Sequence, residues 1–214
     1  MTGRADDVKT RYDRFVNAYA SETPPPWDSG IVPPEVRAII EGDNALAPGY
    51  ALDVGSGTGL NSVYLAAHGW RVTGVDWVEA AVERARARAA GAGVVGERVR
   101  FLRVDVTATT ALRDHPPVNL WLDIGCLHGL KGEGLATYAA HAARLVLPGG
   151  LLRLYAWRRH EKNGRPGGID PDAVQALFAP AFTLSEVILS QEAVDTSLPA
   201  AWYALRRQPA GGAV

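Results

Sequence analysis

Cysteine occurs once in this 214-residue chain, at Cys126. An intrachain disulfide framework is therefore impossible, and no Cys/His pair has the spacing of a structural zinc site. Long apolar runs are also missing: nothing approaches the ~18 apolar residues that a membrane-spanning helix needs. Residues 1–14 are charged and have no apolar centre, so no secretory leader is expected here. Lysine is confined to Lys9, Lys131 and Lys162, and arginine supplies most of the positive charge. The net charge is −1 and the isoelectric point about 6.5. No strongly basic domain exists, and no nucleic-acid partner is expected. These absences leave a cytoplasmic protein with enough length for one domain and a real core.

Glycine is plentiful, and in one stretch it is patterned. Ala51-Leu52-Asp53-Val54 runs as a strand into Gly55-Ser56-Gly57-Thr58-Gly59, and a helix-like segment follows. Glycines there permit positive φ and close approach of a ligand to the main chain. The helix N-terminus beyond the turn offers unpaired N–H groups. A strand, glycine turn and helix in this order form a cofactor site of nucleotide type. The dinucleotide fingerprint Gly-x-Gly-x-x-Gly would put its third glycine at position 60, which is Leu60. A Walker A loop is excluded because no Gly-Lys-Ser/Thr follows.

Along the chain, Val8, Tyr12, Phe15 and Tyr19 have helical spacing and predict a helix over 8–20. Pro24-Pro25-Pro26-Trp27 forbids regular helix, and Pro34 opens a short helix to about residue 41. Alternating elements follow: strands over 50–54, 71–75, 99–104, 118–124, 151–157, 182–190 and 201–206. Helices are expected over 61–68, 78–90, 134–145 and 171–178, the last capped by Asp170. Residues 158–165 read as a solvated basic loop and 208–214 as a frayed tail. The fold class is α/β, a doubly wound sheet.

With Asp53 two residues before Gly55, the turn reads Asp-x-Gly-x-Gly-x-Gly. This resembles motif I of the class I S-adenosylmethionine-dependent methyltransferases. The resemblance implies a Rossmann-like sheet of seven strands, mostly parallel with an antiparallel C-terminal strand. It implies an N-terminal lid over 1–49 and a cofactor-binding methyltransferase domain over 50–207. Asp53, Gly55, Ser56, Gly57 and Gly59 would form the cofactor turn. Asp76, 17 residues after Gly59, ends the second strand and resembles motif II. An acid there can accept both hydroxyl hydrogens of a ribose, although it also stands where a helix cap would. Trp77 adjoins it. By the same resemblance Asp105 accepts from the adenine amino group and Val106 touches the ring.

The strand ending in Asp123-Ile124-Gly125-Cys126-Leu127-His128 lies at the carboxyl edge, where doubly wound folds bind ligands. Its Asp-x-Gly-x-x-His pattern resembles the thiopurine S-methyltransferase and tellurite-resistance methyltransferase group, as does Pro25-Pro26-Trp27-Asp28. Asp123 would then reach the methionine end of the cofactor or the acceptor. Trp27 either pins the N-terminal segment or covers the cofactor. Asp28, Asp123 and His128 are the candidate catalytic bases; His128 could equally be a satisfied core histidine. Cys126 reads as an inert small hydrophobe. The expected activity is methyl transfer from S-adenosylmethionine to a small molecule, without a metal, by a monomer or homodimer. The weak base signal favours a soft or anionic acceptor such as a thiol, chalcogen oxyanion or halide. An O- or N-methyltransferase of a secondary metabolite and a non-catalytic cofactor binder are the alternatives.

Overall fold

Strands that alternate with helices and are apolar on both faces must be covered on both sides. The computed structural model, which describes residues 2–21, 23–94, 96–162, 164–190 and 198–209, has this arrangement. The strands are β1 (Tyr50–Val54), β2 (Arg71–Asp76), β3 (Val99–Arg103), β4 (Val118–Ile124), β5 (Val146–Trp157), β6 (His160–Lys162), β7 (Arg165–Gly167), β8 (Phe182–Ser190) and β9 (Ala200–Arg207). The helices are α1 (Thr2–Ala20), α2 (Pro34–Arg37), α3 (Leu60–Ala67), α4 (Glu79–Gly91), α5 (Gly132–Leu145) and α6 (Pro171–Phe178). The main sheet has seven strands in the order β3-β2-β1-β4-β5-β9-β8. Pairings from β3 through β5 are parallel, and β9 runs antiparallel to both β5 and β8. The expected Rossmann-like sheet with its antiparallel C-terminal strand is thus present. Strand order reverses between β1 and β4, which opens a crevice at their carboxyl ends.

Two apolar layers sandwich the sheet. On the α5–α6 side Trp121, Tyr138, Phe178, Phe182 and Tyr203 are buried together. On the other, Val36, Leu65, Trp70, Val82, Phe101 and Trp202 pack beneath α3 and α4. Close approach of α3 to β2 depends on Gly74, whose missing Cβ would lie 2.6 Å from the Phe101 ring and 2.9 Å from Ser62 Oγ.

Several elements differ from expectation. α1 begins at Thr2, and α2 stops at Arg37 rather than near 41. β5 starts at Val146 rather than at 151 and carries Pro148-Gly149-Gly150 within it, in the gap expected between the helix over 134–145 and the strand over 151–157. The strand absorbs them through a register shift opposite Val118 to Leu120 and a positive φ of 77° at Gly149. Close backbone approach also requires Gly150, whose Cβ would sit 2.8 Å from Leu147 O and 3.0 Å from Asn119 O. The segment expected to be a solvated loop is a hairpin: His160 pairs with Gly167 and Lys162 with Arg165, around Gly164 at φ 71°. Asp170 stands at the N-cap of α6 but makes no cap bond, because its carboxylate takes Arg159 N at 3.1 Å and Arg159 Nε at 3.3 Å. Of the expected tail, residues 210–214 lie outside the described residues.

Gly74→Ala is expected to destabilise the fold by about 1–3 kcal/mol through overpacking against Phe101 and Ser62. Urea unfolding measures this; a loss within error would mean that α3 can move off the sheet.

Candidate active site

The first three residues of the glycine turn are tied to β2. Gly55 N and Ser56 N both donate to Val75 O, at 2.8 and 3.0 Å, and Gly57 N donates to Asp76 Oδ2 at 3.1 Å. Gly59 N donates to Ser56 O at 2.9 Å. These four amides are spent within the protein, so the turn is not the row of open N–H groups that cradles a phosphate. All three glycines have positive φ, and each Cβ would strike a different neighbour. At Gly55 it would lie 2.9 Å from Cys126 Cβ, and at Gly57 2.9 Å from Tyr19 Oη. At Gly59 it would lie 2.8 Å from both Ala85 Cβ and Phe101 Cζ. The third glycine therefore serves packing of the turn against α4 and β3.

The acids at the strand ends have separate tasks. Asp53 is 2 % exposed, and its Oδ2 accepts Ser62 Oγ at 2.6 Å, fixing the first turn of α3. Burial pushes its carboxyl up to about 6. Asp76 accepts Val78 N on Oδ1 at 2.9 Å as well as Gly57 N on Oδ2. Val78 is the N-cap residue of α4, so Asp76 does not cap the helix by position. Burial raises its carboxyl too, and an ionised carboxylate keeps acceptor sites beyond these two. Asp105 is exposed, and both its bonds, from Thr107 N and Thr107 Oγ1, fall on Oδ1. Val106 is buried in the α5-side core.

The N-terminal segment reaches the turn through a residue whose helical spacing marked it only as core. Tyr19, 5 % exposed, stands over Gly57, and Trp27 lies behind it, donating from Nε1 to Tyr19 Oη at 3.1 Å. Trp27 also packs edge-on against Phe15, and Trp77 packs edge-on against Tyr12 and Phe15. Asp28, expected as a candidate base, is bonded through Oδ2 to Thr58 Oγ1 at 2.5 Å and paired with Arg88 Nη2 at 3.2 Å.

Asp123 is bonded within the protein. It is fully buried; Oδ1 accepts Cys126 N at 2.8 Å, and Oδ2 accepts Leu127 N at 3.0 Å and Tyr138 Oη at 2.6 Å. Tyr138 Oη in turn accepts Trp121 Nε1 at 2.8 Å. Desolvation outweighs these donors and pushes the Asp123 carboxyl up to about 7. Its work is to fold the chain after β4 so that Cys126 packs on Gly55. His128 stacks on Trp157, with ring centroids 4.1 Å apart, and its Nδ1 accepts Trp157 N at 3.4 Å. Burial and the neighbouring His160 lower it to about 4.

The structure thus gathers Asp53, the glycines, Asp76, Trp27 and Asp28 around one turn, with Tyr19, Thr58 and Arg88 added. It sets His128 apart at the end of β5. Two buried polar atoms at the turn, Ser56 Oγ and Asn61 Oδ1, have no hydrogen-bond partner in the protein. Among the described residues no group of three or more His, Cys, Asp and Glu could hold a metal ion, and no helix is long and apolar enough to cross a membrane.

The raised carboxyls have a stability consequence. Asp53 and Asp123 keep their protons in the folded state above the pH at which an unfolded Asp, near 3.9, releases them. Their contribution is complete below about pH 4 and is lost as pH rises through about 6 and 7. Relative to Asp123→Asn, whose side chain never ionises, the wild type should lose stability between pH 4.5 and 7.5. Urea midpoints at both pH values test this, and a constant gap would remove the shift at Asp123.

Residues 51–150 match the family model described as a methyltransferase domain. The 2-heptyl-1-hydroxyquinolin-4(1H)-one methyltransferase of Mycobacteroides abscessus is 27 % identical over 199 residues, which is 90 % of this chain and 82 % of that protein. Among solved structures, the 1,6-didemethyltoxoflavin-N1-methyltransferase of Burkholderia thailandensis, with S-adenosylhomocysteine bound, superposes with a TM-score of 0.76. The two are 23 % identical over 98 % of this chain and 92 % of that one. A protein solved in work on the conversion of a disulfide bond into a thioacetal group during echinomycin biosynthesis gives 0.74, at 24 % identity over 92 % and 93 % of the chains. These two likenesses are of fold. With the glycine turn, its acid-ended strands and the matched domain, the chain is an S-adenosylmethionine-dependent methyltransferase.

Proposed function

We propose that the enzyme methylates a small heterocyclic metabolite on an oxygen or ring nitrogen that is nucleophilic without help from the protein. The observation that carries this reading is the engagement of every candidate base. Asp28 is held by Thr58 and Arg88, and Asp123 is sealed against Tyr138 and the turn after β4. His128, lowered to about 4, has little proton affinity to drive abstraction near neutral pH. An acidic hydroxyl or a ring nitrogen asks for no base. The names of the Mycobacteroides relative, a hydroxyquinolone methyltransferase, and of the Burkholderia N1-methyltransferase favour this acceptor class. A thiol, chalcogen oxyanion or halide meets the same requirement and is the second reading. It draws on the resemblance of Asp123-x-Gly125-x-x-His128 to the thiopurine and tellurite-resistance group, and on the sulfur chemistry attached to the echinomycin neighbour.

When bound, S-adenosylmethionine supplies an electrophilic methyl on a positively charged sulfur. The chain's part is binding, alignment and exclusion of water. In this reading Asp76 holds the ribose hydroxyls and Asp105 accepts from the adenine amino group. The backbone from Gly55 to Gly59 lies against the cofactor, with Asp53 and Ser62 keeping α3 in place behind it. Tyr19 and Trp27 close the N-terminal segment over the turn, which keeps out water as a competing nucleophile.

Asp76→Asn should weaken S-adenosylhomocysteine binding by about 1.5–3 kcal/mol, as loss of a charged hydrogen-bond acceptor does. Titration calorimetry reads it, and an unchanged isotherm would take Asp76 out of the ribose role. For the acceptor, a panel of hydroxylated and nitrogen heterocycles, thiols and halides is assayed with labelled cofactor. The pH profile of kcat/KM should follow each acceptor's own ionisation, and His128→Gln should keep most of the activity. A fall of about 10²–10⁴-fold in that variant would restore His128 as a base.

A further inference from the structure

Two arginines one turn apart on α4 hold the N-terminal segment. Arg84 donates from Nη2 to the carbonyl of Ser21, just past the end of α1. Arg88 makes three bonds with one guanidinium: Nε to Thr58 O at 2.9 Å, Nη2 to Thr58 Oγ1 at 2.9 Å, and Nη2 to Asp28 Oδ2 at 3.2 Å. Thr58 Oγ1 closes the triangle by donating to Asp28 Oδ2. The Asp28 side chain is 9 % exposed and that of Arg88 33 %, so the acid is shielded while its partner keeps contact with solvent.

The three members come from three places. Thr58 lies inside the glycine turn, between Gly57 and Gly59. Asp28 lies in the N-terminal segment next to Trp27, and a bond from Asp28 N to Pro25 O at 2.8 Å holds both in one tight turn. Trp27 is bonded to Tyr19, and Tyr19 stands over Gly57. One guanidinium therefore grips the turn from below and the segment above it. Its bonds to Thr58 need only the turn, whereas its bond to Asp28 exists only when the segment is down.

We propose that Arg88 is a positioning residue for the cofactor: by holding Thr58 and Asp28 together it makes closure of the N-terminal segment the step that retains a bound cofactor. Arg88 acts through Thr58 and Asp28 rather than by touching the cofactor. Its loss should therefore show in how fast the cofactor leaves more than in how fast it arrives.

The test is stopped-flow binding and displacement of S-adenosylhomocysteine on the full chain, followed by tryptophan fluorescence. Asp28→Asn and Arg88→Met should each raise the dissociation rate about tenfold while the association rate moves by less than about threefold. The double variant should be no faster than the faster single variant, since both break one interaction. Arg84→Met combined with Asp28→Asn should instead give multiplied effects. Asp28→Asn preserves shape, so it carries the test if Arg88→Met does not fold. An unchanged dissociation rate in Asp28→Asn, or multiplied effects of Asp28→Asn and Arg88→Met in their double variant, would overturn the proposal. The proposal rests on cofactor binding at the glycine turn. Failure of the wild type to bind S-adenosylhomocysteine would sink that reading instead, and is read in the same experiment.

Discussion

The carbonyl of Val75 and the carboxylate of Asp76 hold the glycine turn to β2, and the site is built outward from that attachment. Three successive turn amides, at Gly55, Ser56 and Gly57, donate to these two residues. Once they are spent, the turn has one shape, and its three glycine faces are fixed toward Cys126, Tyr19 and Ala85 with Phe101. The turn after β4, the N-terminal segment and α4 with β3 each meet the glycine turn at one of these faces. A side chain at any of the three would push one of those elements away.

Buried acids play a part here that their position at a ligand edge conceals. Asp53 is spent on Ser62, and Asp123 on Cys126, Leu127 and Tyr138. Both are desolvated enough for the carboxyl to rise well above its ordinary range. Each fixes the chain just after its strand, at the start of α3 and in the turn after β4. The crevice between β1 and β4 is thereby framed by two internal acids, while Asp76 and Asp105 stand at its β2 and β3 side. A frame of this kind supplies alignment, which is the main demand of methyl transfer from an activated donor.

The main-sheet strands and the turn were legible in the sequence because their signals are local: apolar runs, glycines at fixed spacing and acids at strand ends. Side-chain direction was not. Asp28 meets Arg88 across 60 positions of sequence, and Asp123 meets Tyr138 across 15, so neither partner could be read from spacing. Trp27 drew notice as the large aromatic beside three prolines, yet the residue over Gly57 is Tyr19, which looked like one more apolar position of α1. Pro148-Gly149-Gly150 signalled a gap between helix and strand, and β5 runs through it because a register shift accommodates the glycines. The β6–β7 hairpin was missed because charge dominates its composition and only Gly164 marks the turn.

The rotational phase of α4 has a consequence for how this chain can vary in length. Arg84 and Arg88 point toward the N-terminal segment, Ala85 meets Gly59, and Arg86 bonds to Phe101 O at 3.0 Å on β3. Consecutive residues on a helix differ by about 100°. A single-residue insertion between Glu79 and Arg84 would turn all of these contacts away together, while strand pairings in the sheet could persist. Insertions are better placed in the stretch between α2 and β1 or beyond β9. The α4 helix acts as an indexed spindle: its length before Arg84 is as much a part of the site as the glycines it faces.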